Sequence, residues 1–231
     1  MIRMPVGSPA SLLTNRQSLP CSLPSDSALS MSLNCRRIGR SIHQTIPASG
    51  QAIERVNVGD IYDKGKAALV YINTEVTDTA GNPLWTSRSG LFISGEGGWG
   101  GDRGPSNPWK LPDRPADRIT SYDTRADQAL LYRLSGDRNP LHADPTFAAM
   151  AGFDRPILHG LCTFGFIGRA LLHTMCDSNV DQFGSMGGRF KSPVIPGERL
   201  DVHMWDDSEQ ILFQTRAGDR VVFDTGVFAK R

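Results

Sequence analysis

The chain has 231 residues, 39% hydrophobic and 21% charged, with 25 Lys and Arg against 24 Asp and Glu. That length can bury a sizeable core in one large domain or two small ones. The net charge of +1 gives no reason to expect nucleic acid or an anionic membrane as the main partner, and no apolar run nears the roughly 20 residues that a membrane span needs.

Residues 1–40 differ from the rest. They are rich in Ser and Pro and carry five arginines (Arg3, Arg16, Arg36, Arg37, Arg40) against one acid, Asp26. That balance matches an organelle transit peptide, a disordered tail, or translation from a start upstream of the real one, with Met31 an internal start. In each case the segment is expected to be disordered. The C-terminal Ala229-Lys230-Arg231 is not the S-K-L peroxisomal address.

From Arg55 the pattern is strand-like. Val56, Val58 and Ile61 lead to a turn at Asp63-Lys64-Gly65, and Ala67 to Val76 is a β-prone run. Turn formers fill Asp78 to Pro83, and Trp85 to Ile93 returns as a strand. The loop G-E-G-G-W-G-G-D-R-G-P from Gly95 to Pro105 closes with no G-K-[ST] and has no G-x-G-x-x-G register, so it is no dinucleotide site. Its glycines could bring backbone amides close to a ligand's phosphates or thioester tail, or form a plain flexible linker. Asn107 to Pro115 reads as a proline-stiffened connection, which places a boundary at 105–117.

After a short extended start at Ile119 to Tyr122, a helix capped by Asp127 should run through Arg133 with Ala129, Leu130 and Leu134 on its apolar side. Ser135-Gly136 ends it. Asp144-Pro145 starts a second helix, with Asp as N-cap and Pro at the first helical position, which stops at Gly152. A longer helix is predicted from Gly160 to Cys176, where Gly165 and Gly168 cost about 1 kcal/mol each against Ala and suggest close packing of that face on a sheet. Four strands follow, Met186–Ser192, Glu198–Trp205, Gln210–Arg216 and Arg220–Phe228, spaced as an antiparallel meander. A long helix across such a sheet is an α+β arrangement.

Four cysteines (Cys21, Cys35, Cys162, Cys176) show no C-x-x-C spacing and no His/Cys metal pattern; no metal site is expected, and they read as reduced thiols of an intracellular protein. The location expected is cytoplasmic, or peroxisomal or mitochondrial in a eukaryote.

The stretch Ser135-Gly136-Asp137-Arg138-Asn139-Pro140-Leu141-His142 resembles the signature of the MaoC-like, type 2 (R-specific) enoyl-CoA hydratase family. The likeness continues through Asp144-Pro145, Phe153, Arg155 to Thr163, and Arg189 to Glu198, covering nearly all of residues 118–231. Residues 41–105 resemble the later part of the non-catalytic first repeat of the eukaryote-type two-repeat hydratases, at the D-K-G turn and the G-G-W-G-G loop. The resemblance implies a hot-dog fold: a complete catalytic repeat at 118–231 and a partial N-terminal repeat, since the leader does not resemble that repeat's early strand and helix.

The activity implied is reversible hydration of (2E)-enoyl-CoA to (3R)-3-hydroxyacyl-CoA in fatty-acyl or sterol side-chain β-oxidation. No cofactor is expected, the CoA thioester being the substrate. Asp137 and His142 suit the removal and return of a proton, an imidazole exchanging protons near neutral pH. Asn139 could hold the water between them, and the N–H of Gly160, opening a helix, suits an oxyanion. Which of Asp137 and His142 is the base stays open. Singly, Asp137 reads as a turn residue and His142 as structural; His159 reads as orienting the loop, and Cys162 lacks a base to make it a nucleophile.

Expected contacts for the CoA and acyl groups are Lys64, Gly65, Gly98, Trp99, Gly100, Arg138, Phe190, Lys191 and Pro193, the cations through charge-assisted bonds. The competing functions are a thioesterase, for which the predicted long helix offers no carboxylate, and a catalytically impaired acyl-CoA-binding or assembly subunit or remnant of a longer hydratase. The partners expected are acyl-CoA and, for the incomplete repeat's apolar surface, a second copy or another hot-dog subunit.

Overall fold

A computed structural model of the chain describes residues 2–3, 33–106, 109–207 and 210–231. Among the described residues ten strands, all paired antiparallel, form one sheet: β1 (Ile2–Arg3), β2 (Leu33–Ile42), β3 (Gln51–Asp63), β4 (Ala67–Asp78), β5 (Pro83–Ser94), β6 (Arg118–Asp123), β7 (Phe183–Phe190), β8 (Arg199–Asp207), β9 (Gln210–Ala217) and β10 (Arg220–Lys230). Their order across the sheet is β1-β3-β4-β5-β2-β7-β10-β9-β8-β6. The helices are α1 (Gln128–Tyr132), α2 (Pro145–Met150) and α3 (Gly160–Met175).

Helix α3 is the axis of the second half. Phe164, Ile167, Leu171 and Met175 recur at helical spacing and all are buried. They share one core with Met186 of β7, Val202 and Met204 of β8, Ile211 and Phe213 of β9, and Phe223 and Phe228 of β10. Phe223 touches the rings of Phe164, Phe190 and Phe213 at centroid distances of 6.0, 5.1 and 5.8 Å. A Cβ at Gly226 would fall 2.5 Å from a ring carbon of Phe213, so only glycine fits where β10 slips register against β9. A helix wrapped by an antiparallel sheet is the α+β hot-dog arrangement the sequence implied.

The first half is built differently. Strand β2 joins the halves, pairing with β5 on one side and β7 on the other, and its Ile38 enters the α3 core. Register places Val56 and Val58 of β3 on the same face as Ile38, through Thr74, Ser87 and Arg40 for Val56 and through Ile72 and Ser89 for Val58. Among the described residues no helix packs there, and Val56, Val58 and Ile61 are 42%, 62% and 54% exposed.

Four expectations change. The leader was expected to be disordered to residue 40, but β2 starts at Leu33; most of the leader lies outside the described residues. Its arginines disguise a strand in which, among the described side chains, Ile38 and Ile42 reach the core. Leu130 and Leu134 are exposed, because α1 stops at Tyr132 and a 3-10 turn over 133–135 redirects the chain. Asp127 pairs with Arg125 instead of capping α1. At Gly165 a Cβ would meet nothing within 4 Å, so that glycine is not there for close packing.

Candidate active site

Two loops meet at the start of α3. The first, Ser135 to Asp144, cannot continue a helix: Gly136 has φ +121, and Pro140 follows an extended Asn139. The second, Pro156 to Gly160, is extended. It is held by Leu158 N–H on the Val194 carbonyl at 2.7 Å and Ile157 N–H on the Leu141 carbonyl at 3.4 Å. Asp144 accepts from the N–H groups of Thr146 and Phe147 and so anchors α2 as the sequence predicts.

His142 Nδ1 lies 2.8 Å from the Ile157 carbonyl. A carbonyl only accepts, so Nδ1 carries the proton and the Nε2 lone pair of the neutral ring faces away. Burial first of all lowers the His142 pKa below its ordinary value, against the opposing pull of the Asp137 charge. His159, 1% exposed, stacks on His142 with centroids 3.8 Å apart, and the Tyr132 ring lies tilted against His159 at 4.7 Å. Nε2 of His159 donates to the Asp137 carbonyl at 3.2 Å, and its Nδ1 is buried without a hydrogen-bond partner. Burial, then His142, pushes the His159 pKa down to about 4, which keeps this ring neutral too.

A carboxylate oxygen of Asp137 and ring nitrogens of His142 and His159 lie within 4.8 Å of one another. The site therefore gathers an acid and two neutral imidazoles in one half-buried corner. Asn139 is less free than expected, because its side-chain oxygen spends one of its two lone pairs on the Leu141 N–H at 3.0 Å. Gly160, next in the chain to His159, is exposed and opens α3, where its N–H has no helical acceptor. Cys162 is buried, and burial raises its thiol to about 12, which makes it no nucleophile.

Of the residues expected to hold substrate, Phe190 borders the site: its ring is 3.4 Å from where a Cβ on Gly160 would stand. Arg138 is exposed on the catalytic loop. Lys191 lies 3.7 Å from Asp224, which Arg189 also pairs, and the Pro193 carbonyl accepts from Arg220. The glycine loop turns inward. The N–H groups of Gly65, Gly98 and Gly100 all bond the carboxylate of Asp63, 5% exposed, at 2.7, 2.9 and 2.9 Å. The Gly98 bond, then that of Gly65, holds the Asp63 carboxyl below the usual carboxylate range. These amides serve an internal anion, a role that the sequence showed only as an Asp before a D-K-G turn. Lys64 bonds the Arg103 carbonyl and lies over Tyr62, and Trp99 is 52% exposed.

Tyr132 was overlooked as a site residue; its ring on His159 is a contact between a helix end and a distant loop, with no spacing to announce it. A groove of about 490 Å³ lies elsewhere, across β2–β5 and β7 with Asn57, Asn73, Glu75 and Arg88 on its walls, and none of residues 132–160 lines it.

Residues 109–226 match the family described as MaoC like domain, and residues 39–95 match the MFE-2 hydratase 2 N-terminal domain. The enoyl-CoA hydratase ChsH3 of Mycobacterium tuberculosis is 45% identical over 76% of this chain and 61% of its own length. The peroxisomal multifunctional enzyme type 2 of Drosophila melanogaster is 44% identical over 78% of this chain and 30% of its own. The chain thus spans less than two thirds of both relatives. The crystal structure of a MaoC-like dehydratase from Phytophthora capsici superposes with a TM-score of 0.82 at 35% identity, covering 90% of this chain and 74% of that one. With its signature loop at the mouth of α3 and more than half its length matched, the chain belongs to the MaoC-like domain family.

Proposed function

We propose that the chain hydrates (2E)-enoyl-CoA reversibly to (3R)-3-hydroxyacyl-CoA, in fatty-acyl or sterol side-chain β-oxidation. The observation that carries this is the tautomer of His142. With Nδ1–H held by Ile157, the ring offers one lone pair, at Nε2, and a ring nitrogen of His142 lies within 4.8 Å of an Asp137 carboxylate oxygen. A water donating to both is positioned to attack C3. Nε2 takes its proton as the C3–O bond forms and the electron pair moves to the thioester oxygen, where the Gly160 N–H and the α3 dipole stabilise the enolate. The imidazolium, opposite Asp137, returns that proton to C2. One water is consumed, and no cofactor takes part.

The relatives named as hydratases at 45% and 44% identity support the substrate class. Within this proposal residues 118–231 form the catalytic repeat and 41–105 a non-catalytic one. Phe190 walls the acyl end, while Lys64, Gly65, Gly98, Trp99, Gly100, Arg138, Lys191 and Pro193 lie along the CoA. The test is loss of enoyl-thioester absorbance on adding crotonyl-CoA to purified protein, with Asp137→Asn and His142→Ala as controls. Hydration by the wild type that falls at least about 100-fold in each variant supports the reading. A wild type as inactive as both, while still binding CoA, refutes it and favours an acyl-CoA-binding or assembly subunit.

The uncovered stripe of Val56, Val58 and Ile61 favours assembly through the first half, with a second copy or another hot-dog subunit. No helix among the described residues is long and apolar enough to cross a membrane. The free thiols of Cys162 and Cys176 fit a reducing compartment, the cytoplasm or a β-oxidation organelle, which fractionation with an antibody to the chain would test.

A further inference from the structure

The outer edge of β3 is open where its counterpart in the second half is covered. There β6 runs along β8 from the pair Arg118–Met204 to the pair Asp123–Arg199. On β3, among the described residues, β1 pairs Ala52 and Gln51 alone, and no strand lies beside residues 53–62 on that side. A row of main-chain N–H and C=O groups left open over that length is a template for one more strand. Arg55, Val56, Asn57 and Val58 are exposed in succession, as in a strand open to solvent on both faces. Register sets Val56 opposite Thr74, Val58 opposite Ile72 and Ile61 opposite Val70, so these three side chains share one face. Between them Gly59 and Asp60 form a bulge. Arg55 and Asn57, opposite Glu75 and Asn73, lie on the other face. Asp60 joins them there through its ion pair with Arg88, which sits across from Asn73.

We propose that a second copy of this chain pairs along this edge, β3 against β3 and antiparallel, about a two-fold axis that passes through Asn57 perpendicular to the sheet. Antiparallel pairing sets side chains of the same face opposite each other, and a two-fold makes every contact reciprocal. With the axis at Asn57, Val56 meets Val58 of the copy, Arg55 meets Asp60 of the copy, and the two Asn57 amides meet each other. β-Branched and opposite-charge pairs are the cross-strand neighbours that stabilise a sheet. Glu54 then faces Ile61 and Ile53 faces Tyr62, so the pairing stops just short of β1 at Ala52 and of the turn that follows Asp63 in the copy. The neighbouring registers fit less well. An axis at Val56 sets Glu54 against Val58 and leaves Arg55 opposite Asn57. An axis at Val58 sets Glu54 against Asp63, a buried carboxylate already committed to Gly65, Gly98 and Gly100. In the pairing at Asn57 the exposed stripes of Val56, Val58 and Ile61 from the two copies become one apolar surface across the axis.

The pairing rests on the reading of the first half as an assembly surface and is independent of hydration. The experiment combines sedimentation velocity of the purified full chain with oxidative cross-linking. The wild type is expected to sediment as a concentration-dependent dimer. Asn57→Cys should give a covalent dimer on a non-reducing gel with oxidised glutathione, because residues facing across the axis have Cα atoms about 4.5–5.5 Å apart, within disulfide range. Ile53→Cys, about 26 Å from its own counterpart at roughly 3.3 Å per residue, should give no more than the wild type, whose own thiols set the background. Arg55→Asp opposes two acids across the axis and should weaken the dimer at least about tenfold. Arg55 is exposed on the edge, so far-UV circular dichroism should stay unchanged and the loss reads the contact itself. A monomer at every concentration, open-ended polymers, equal cross-linking of Asn57→Cys and Ile53→Cys, or a dimer indifferent to Arg55→Asp overturns the pairing. Hydration of crotonyl-CoA by a monomer overturns the pairing alone; a cross-linked dimer with no hydration supports the pairing and sinks the hydratase reading.

Discussion

Acidification should weaken the fold through His159. In the unfolded chain an imidazole binds its proton near pH 6.5; in the fold, burial and then His142 push that down to about 4. The folded-state value is the lower one, so between these pH values the unfolded chain binds more protons. The stability linked to this group is complete above pH 6.5 and is lost as pH falls toward 4. A displacement of about 2.5 units at 1.36 kcal/mol each amounts to about 3 kcal/mol by pH 4, a large share of the roughly 5–15 kcal/mol that holds a domain together. The assay is urea unfolding of the wild type and His159→Gln at pH 7, 6, 5 and 4. Glutamine keeps an N–H for the Asp137 carbonyl but does not titrate. The wild type's advantage over the variant should shrink by about 3 kcal/mol from pH 7 to pH 4, most of it below 6.5. Parallel pH dependences for the two proteins would refute the reasoning.

Asp137→Asn should lower the His142 pKa further, because it removes a carboxylate charge that, after the Ile157 hydrogen bond, works against burial; a rise in its NMR titration midpoint contradicts the geometry. Asp63→Ala removes the acceptor for three loop amides, so limited proteolysis should move to residues 95–104 while the second half stays protected. Ile167→Ala, at 0% exposure in the α3 core, should cost about 2–5 kcal/mol in urea unfolding. Val58→Asp places a charge in the uncovered stripe and should reduce self-association in light scattering without lowering unfolding stability; unchanged particle mass argues against that face as the contact.

Where the local pattern was strong, the chain was readable. Asp144-Pro145 predicts its own helix start, and Phe164, Ile167, Leu171 and Met175 predict the face α3 buries, because capping and periodicity act within a few residues. Strand β2 was hidden because a bridging strand needs only Ile38 and Ile42 inside, and five charged or polar neighbours look like a tail. The G-G-W-G-G loop was only partly readable for a related reason. Glycine density shows that amides can approach an anion, and gives no sign that the anion is Asp63, some thirty-five residues earlier in the chain.

By itself, then, the sequence determined that a loop bearing Asp137, Asn139 and His142 precedes a long helix beginning at Gly160, and that this helix crosses an antiparallel sheet. Composition, turn residues and hydrophobic period are local, and they survive without coordinates. Only the tertiary structure decided which nitrogen of His142 is basic, that His159 stacks on it with Tyr132 packed against His159, and that Asn139 is half committed to its own turn. Those outcomes depend on which carbonyl lies across from which ring once two loops are pressed together, and contacts between Ile157 and His142 or between Asp137 and His159 have no signature in either segment alone.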